Sequence, residues 1–170
     1  MRRRINRLAL ALLLVSLPAA AAGPDIVLRD FTGRPRNVNE FIGHGKWLVV
    51  VVWLADCPIC KRDIHHMTFF HDEHGKKDAA VLGVSVDGYA NREKALAFVA
   101  DHALNFPNLI GDRGDASRFG GGPFIGTPTY YIFSPEGKYM TGRVGGQTQE
   151  QVEQIIRALK KRHEGISKKR

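Results

Sequence analysis

Residues 47–60 read Trp47-Leu48-Val49-Val50-Val51-Val52-Trp53-Leu54-Ala55-Asp56-Cys57-Pro58-Ile59-Cys60, and this stretch decides the fold. The run from Trp47 to Leu54 is apolar at every position, with no polar alternation. A strand covered on both faces has that pattern, which makes it the expected centre of a sheet. Pro58 then stands where a helix can open, because the first helical N–H has no partner to lose. The helix is expected to run to about His74 and to stop at Gly75.

The flanking sequence repeats the alternation of strand and helix. Upstream, Ile26 to Arg29 reads as a short strand, Phe31 to Arg34 as a turn, and Val38 to Ile42 as a short helical or extended piece. Downstream, Ala79 to Val86 is a second buried strand, and a helix follows from about Arg92 to His102. Gly111 to Gly122 reads as a loop with one helical turn near Ala116. Thr129 to Phe133 and Lys138 to Val144 form a hairpin around Ser134-Pro135-Glu136-Gly137, a turn composition. Thr148-x-x-Gln151 is a capping box, and Val152, Ile155, Ile156 and Leu159 give the last helix an apolar stripe. Strands alternating with helices imply an α/β fold, a central mixed sheet flanked by helices.

The two ends of the chain stand apart from this body. Arg2, Arg3, Arg4 and Arg7 precede the apolar run Leu8 to Leu17, and Ala20 and Ala22 supply an A-x-A site. That reads as a secretory signal over residues 1–22, followed by a domain over 23–162 and a basic tail over 163–170. The location implied is periplasmic or otherwise extracytoplasmic, with membrane anchoring if the leader stays on. The formal net charge is +8, yet the excess lies in those four arginines and in the seven Lys or Arg from Arg157 onward, so the body itself is slightly acidic. No aromatic residues interleave with the basic tail, which excludes nucleic acid as a partner and leaves weak contact with an anionic membrane surface.

Only two cysteines occur, both in Cys57-Pro58-Ile59-Cys60. Closing so short a loop contributes only about 2 kcal/mol, so stability does not account for the pair. A structural zinc site takes four ligands, and no second cysteine pair exists.

Set into this order of elements, the chain resembles the TlpA/ResA-like branch of thioredoxin-fold proteins over about residues 25 to 162. Three segments carry the likeness: Val52 to Asp63 around the cysteines, Phe106 to Asp112, and Gly126-Thr127-Pro128-Thr129-Tyr130-Tyr131-Ile132. The resemblance implies an exported or membrane-tethered disulfide reductase that acts on cysteine pairs of exported proteins. A membrane thiol–disulfide electron donor would re-reduce it. No cofactor is implied, the redox centre being the Cys57–Cys60 disulfide.

A cysteine at a helix N-terminus is favoured as thiolate by the dipole and the unpaired N–H groups. Cys57 is therefore expected as the exposed nucleophile and Cys60 as the shielded resolving thiol. The gain in thiolate is partly offset by lower intrinsic nucleophilicity, so the larger benefit is that Cys57 leaves well when Cys60 resolves a mixed disulfide. Thr127-Pro128 matches the family's cis-proline loop, which packs opposite the disulfide and pairs with extended substrate backbone. Pro58, Ile59 and Trp53 complete the expected substrate-contacting set. Asp63 occupies the position where the family carries a Glu that handles the resolving thiol's proton; a desolvated carboxyl there would have a raised pKa.

The chain also departs from the family. Asp56 replaces the usual Trp before the first cysteine, and a carboxylate there would disfavour the thiolate unless it points to solvent. His65 replaces the family's helix-kinking proline. His65, His66, His71 and His74 share the first helix, whose buried side is expected to hold Ile64, Met67, Phe69 and Phe70. His71 and His74 are spaced as metal ligands could be, which keeps a copper or zinc metallochaperone as the alternative function. A thiol peroxidase is disfavoured because Leu54, rather than Thr, stands three residues before Cys57.

Overall fold

A computed structural model describes residues 23–167, with side chains through residue 162. The leader at 1–22 and the last three residues of the tail lie outside the described residues. Seven strands form one sheet in the order β2-β1-β5-β4-β3-β6-β7. Along the chain they are β1 Val27–Arg29, β2 Pro35–Asn37, β3 Trp47–Trp53, β4 Ala79–Ser85, β5 Asn108–Ile110, β6 Thr129–Phe133 and β7 Tyr139–Val144. The helices are α1 Pro58–Asp63, α2 His65–His74, α3 Arg92–Asp101, α4 Arg113–Ala116 and α5 Gln149–Ser167. Strands β3, β4 and β5 run parallel, while β6 and β7 add antiparallel on one side and β1 and β2 on the other. The sheet is thus mixed, as expected.

The unbroken apolar run has a direct structural cause. Trp47, Val49, Val51 and Trp53 face a core closed by α1, α2, α3 and α5. Leu48, Val50 and Val52 face a second core closed by Ile26, Val38, Ala116 and Phe119. Both faces of β3 are covered, so polar residues have no place on it. The capping box at Thr148 forms, with the Thr148 N–H on Gln151 Oε1 at 2.8 Å and the Gln151 N–H on Thr148 Oγ1 at 3.2 Å. Behind it, α5 runs past the expected boundary at 162 to Ser167.

Two expectations about the first helix are corrected. It is interrupted at Ile64, where the Met67 N–H bonds the Ile64 carbonyl three residues back at 2.9 Å, tightening one turn. The buried residues Ile64, Met67 and Phe70 then recur every third position, which turns Phe69 outward. Phe69 lies on the surface, edge-on to His65. The short strands β2 and β5 have no counterpart in the sequence reading, because three residues show no periodicity.

Candidate active site

The cysteines lie where β3 ends, at the C-terminal edge of the parallel strands. This is the edge where α/β sheets place their ligands. The loop that carries them is tied down before the first cysteine. The Ala55 N–H donates to Asp87 Oδ2 at 3.0 Å, and Ser85 Oγ donates to the same oxygen at 2.7 Å. The Cys57 N–H bonds the Leu54 carbonyl at 3.0 Å. Cys57 is the N-cap of α1, Pro58 takes the first helical position, and the Cys60 N–H points at Cys57 Sγ at 3.2 Å. An unpaired N–H at the start of the helix is thereby spent on sulfur.

Opposite stands the loop before β6. The Thr127–Pro128 peptide bond is cis, and the Cys57 thiol donates to the Thr127 carbonyl at 3.4 Å. Thr129 Oγ1 closes the loop on the Gly126 carbonyl at 2.5 Å. A third segment locks the two together: the Gly145 N–H donates to the Pro128 carbonyl at 2.9 Å, and Gly146 packs on Asp63 and Ile59. A Cβ on Gly146 would fall 1.9 Å from Asp63 Oδ2, so any larger residue there would push the Asp63 carboxylate out of its place. Nothing in the sequence reading singled out Gly146, Asp87 or Asn108. Asp87 was within reach of it, as a carboxylate just past the end of the strand beside β3.

The two sulfurs differ in charge preference. Burial works to raise the Cys57 thiol, but hydrogen bonds from Cys60, at Thr127 and from the backbone N–H groups outweigh it and hold the thiol below its ordinary value. Cys60 is pushed up to about 12, first by burial and then by its hydrogen bond to Cys57. Cys57 is 8% exposed and Cys60 1%, so the expected order of exposure holds, but Cys57 is not the open nucleophile anticipated. Its sulfur sits against the Thr127 carbonyl, while Pro58 and Ile59 beside it face solvent.

Three other expectations change. Trp53 is completely buried, stacked on Phe98 at 4.5 Å with its indole N–H on Asn108 Oδ1 at 3.1 Å. It supports the floor of the site and cannot touch substrate. Asp63 has its carboxyl lowered, not raised, because the Arg62 guanidinium clasps it at 2.7 and 2.8 Å and this outweighs burial. The histidines do not converge. His71 Nδ1 accepts the Val81 N–H at 3.2 Å, whereas His74 lies between Asp78 at 3.4 Å and Glu153 at 3.2 Å. Among the described residues the group spaced for a metal ion is Glu73, His74 and Glu153, which contains neither cysteine nor His71. Asp56, the departure before Cys57, points outward and pairs with Lys94 of α3.

A mixed sheet of this order, with a dithiol on the first turn of a helix and a cis-proline loop against it, defines a protein of the thioredoxin fold. Solved structures agree. A thiol:disulfide interchange protein of the thioredoxin family from Chlorobium tepidum TLS superposes with a TM-score of 0.67 at 15% identity, covering 84% of this chain and 98% of that one. StoA from Bacillus subtilis gives 0.61 at 21% identity, covering 78% and 97%. At such identities these likenesses speak to the fold. In sequence, the thiol-disulfide oxidoreductase ResA of Geobacillus thermodenitrificans is 28% identical over 148 residues, 85% of this chain and 80% of that protein. Residues 19–139 match the AhpC/TSA family. The chain belongs to the AhpC/TSA family, is a thiol–disulfide oxidoreductase, and is similar to the ResA proteins.

Proposed function

We propose that this chain is an exported reductase of disulfides in extracytoplasmic proteins, with Cys57 as nucleophile and Cys60 as resolving thiol. The observation that carries the reading is the asymmetry of the pair: one sulfur held below its ordinary pKa at a helix N-terminus, the other buried and protonated one turn on.

The reaction runs in two exchanges. The Cys57 thiolate attacks one sulfur of a target disulfide; that S–S bond breaks, and the released target thiolate takes a proton. A mixed disulfide now joins Cys57 to the target. Cys60 gives up its proton and attacks Cys57 Sγ, which frees the second target thiol and leaves Cys57–Cys60 as a disulfide. Two electrons and two protons pass to the target, and the disulfide of the enzyme itself is the redox group. Pro58 and Ile59 are exposed beside Cys57 and offer the first surface to an incoming chain. Thr127 and the buried Pro128 supply the rigid backbone edge along which that chain extends. Return to the dithiol requires a thiol donor, here a membrane thiol–disulfide carrier.

Export rests on the leader at 1–22. No helix among the described residues is long and apolar enough to cross a membrane. N-terminal sequencing of the secreted form should begin at Gly23. The basic residues of the tail would add only weak attraction to an anionic membrane surface.

The deciding measurement is the equilibrium reduction potential of the Cys57–Cys60 pair, with turnover of a model protein disulfide. A potential well below that of glutathione, with activity abolished in Cys57→Ser, supports the reductase. A potential well above it reverses the direction, and activity surviving in Cys57→Ser removes the nucleophile.

A further inference from the structure

The residue before the nucleophile is an aspartate, and a bare carboxylate there opposes the work of the helix N-terminus. The charged or titratable groups about Cys57 are Asp56 on the same loop, Cys60, Lys61 and the Arg62–Asp63 pair on α1, Lys94 on α3, Asp87 after β4 and Tyr130 on β6. Asp87 is already committed to Ala55 and Ser85, and Asp63 to Arg62. Asp56 is the remaining anion. It lies one residue from the sulfur, and its partner comes from another element 38 positions along the chain.

We propose that Lys94 is a positioning residue for disulfide exchange: by pairing with Asp56 it draws that carboxylate outward and cancels its charge as felt at the Cys57 sulfur. This deepens the functional reading above and rests on Cys57 being the nucleophile. Both side chains are about half exposed, at 49% for Lys94 and 64% for Asp56, so the pair adds little to stability. Its effect lies in the field at the neighbouring atom. An ammonium against a carboxylate leaves a small dipole, whereas the carboxylate alone leaves a full negative charge within several ångströms of a thiolate. Lys61 also stands near enough to stabilise the Asp56 anion, but the hydrogen bond comes from Lys94.

The test is the rate of iodoacetamide alkylation of the reduced protein against pH, with the labelled residue identified by peptide mapping. Lys94→Ala should slow labelling of Cys57 about two- to threefold at pH 6–7 and move the inflection to higher pH. High salt should erase most of that difference, because the field is screened by solvent. Asp56→Asn combined with Lys94→Ala should restore the parent rate, and Lys94→Arg should retain it. Both sites are on the surface, so the variants fold. A parent-like rate in Lys94→Ala overturns the proposal, as does a double variant as slow as the single one. Labelling of Cys60 ahead of Cys57 in the parent protein would instead remove the nucleophile assignment beneath it.

Discussion

Cys57 and Cys60 are the same side chain placed one helical turn apart, and the molecule drives them in opposite directions. Cys57 caps α1 and receives the Cys60 N–H; Cys60 lies inside the helix, its sulfur in the core with Ile64 and Val152. Both are buried by residue exposure, so burial alone does not separate them. What separates them is the supply of hydrogen-bond donors. At the N-cap, backbone N–H groups and the Cys60 thiol offset the cost of removing an anion from water, whereas at Cys60 burial and the hydrogen bond to Cys57 outweigh the backbone contact with Leu54. Position within one helical turn therefore assigns the two roles.

The strongest way to break the contrast is to remove the second sulfur. Cys60→Ser should bring multiple turnover to background while still attacking the first disulfide, so a mixed disulfide through Cys57 accumulates on non-reducing gels. Cys60→Ala sharpens the comparison. The serine hydroxyl can still donate to Cys57, whereas alanine cannot, so the thiol of Cys57 should titrate at higher pH in the alanine variant. Equal titration in both would remove Cys60 as a source of the lowered value.

Alkylation at fixed pH reads the same contrast without mutation. With Cys60 pushed far above the ordinary thiol value by burial and its hydrogen bond to Cys57, almost none of it is thiolate at pH 8. Cys57 should therefore react about 100-fold faster or more, and its rate should climb as pH rises through a value below that of a free cysteine. Comparable labelling of both cysteines in the folded protein would contradict the assigned environments.

The elements legible in the sequence were those with a physical signature longer than a few residues. The two-faced strand β3, the helix opening at Pro58, the hairpin and the capped helix α5 all carry one. So does the dithiol itself, since two cysteines and nothing else for them to do narrow the chemistry sharply. Trp53 lies beneath the site and does not line it, a difference invisible in sequence because an indole in either place looks alike; the Asn108 bond that fixes it spans 55 positions. An ideal helical period running through Ile64 puts Phe69 inside, whereas the tightened turn there turns it out to solvent. Gly146 could not be read at all, since its constraint is the distance to Asp63, 83 residues earlier.

Asp87 offers a smaller test of how far the loop depends on tertiary support. Asp87→Ala leaves the Ala55 N–H without its acceptor in a half-buried setting, which should cost about 1–3 kcal/mol in urea unfolding. Cys57 should also lose reactivity, because the loop leading into the N-cap is no longer held. Unchanged stability would mean that the loop is fixed by the Leu54–Cys57 turn alone.

The smallest effect is expected at Asp63, and it separates the family-based expectation from the observed geometry. A carboxyl that ferries the resolving proton must titrate near neutrality, but the clasp of Arg62 holds Asp63 below its ordinary value. A group with a depressed folded-state pKa contributes stability above its unfolded value and loses that contribution as pH falls through the folded one. Arg62 is largely solvent-exposed, so the contribution is small. Asp63→Asn should then be slightly less stable than the parent at pH 6, with the gap closing in acid below about pH 4. Between pH 6 and 8 Asp63 stays ionised in the parent, so the pH profile of mixed-disulfide resolution should keep its shape in Asp63→Asn and its rate should change less than about twofold. Loss of a neutral-range inflection in that profile would show that Asp63 exchanges the proton after all, with Arg62 releasing it once the target is bound.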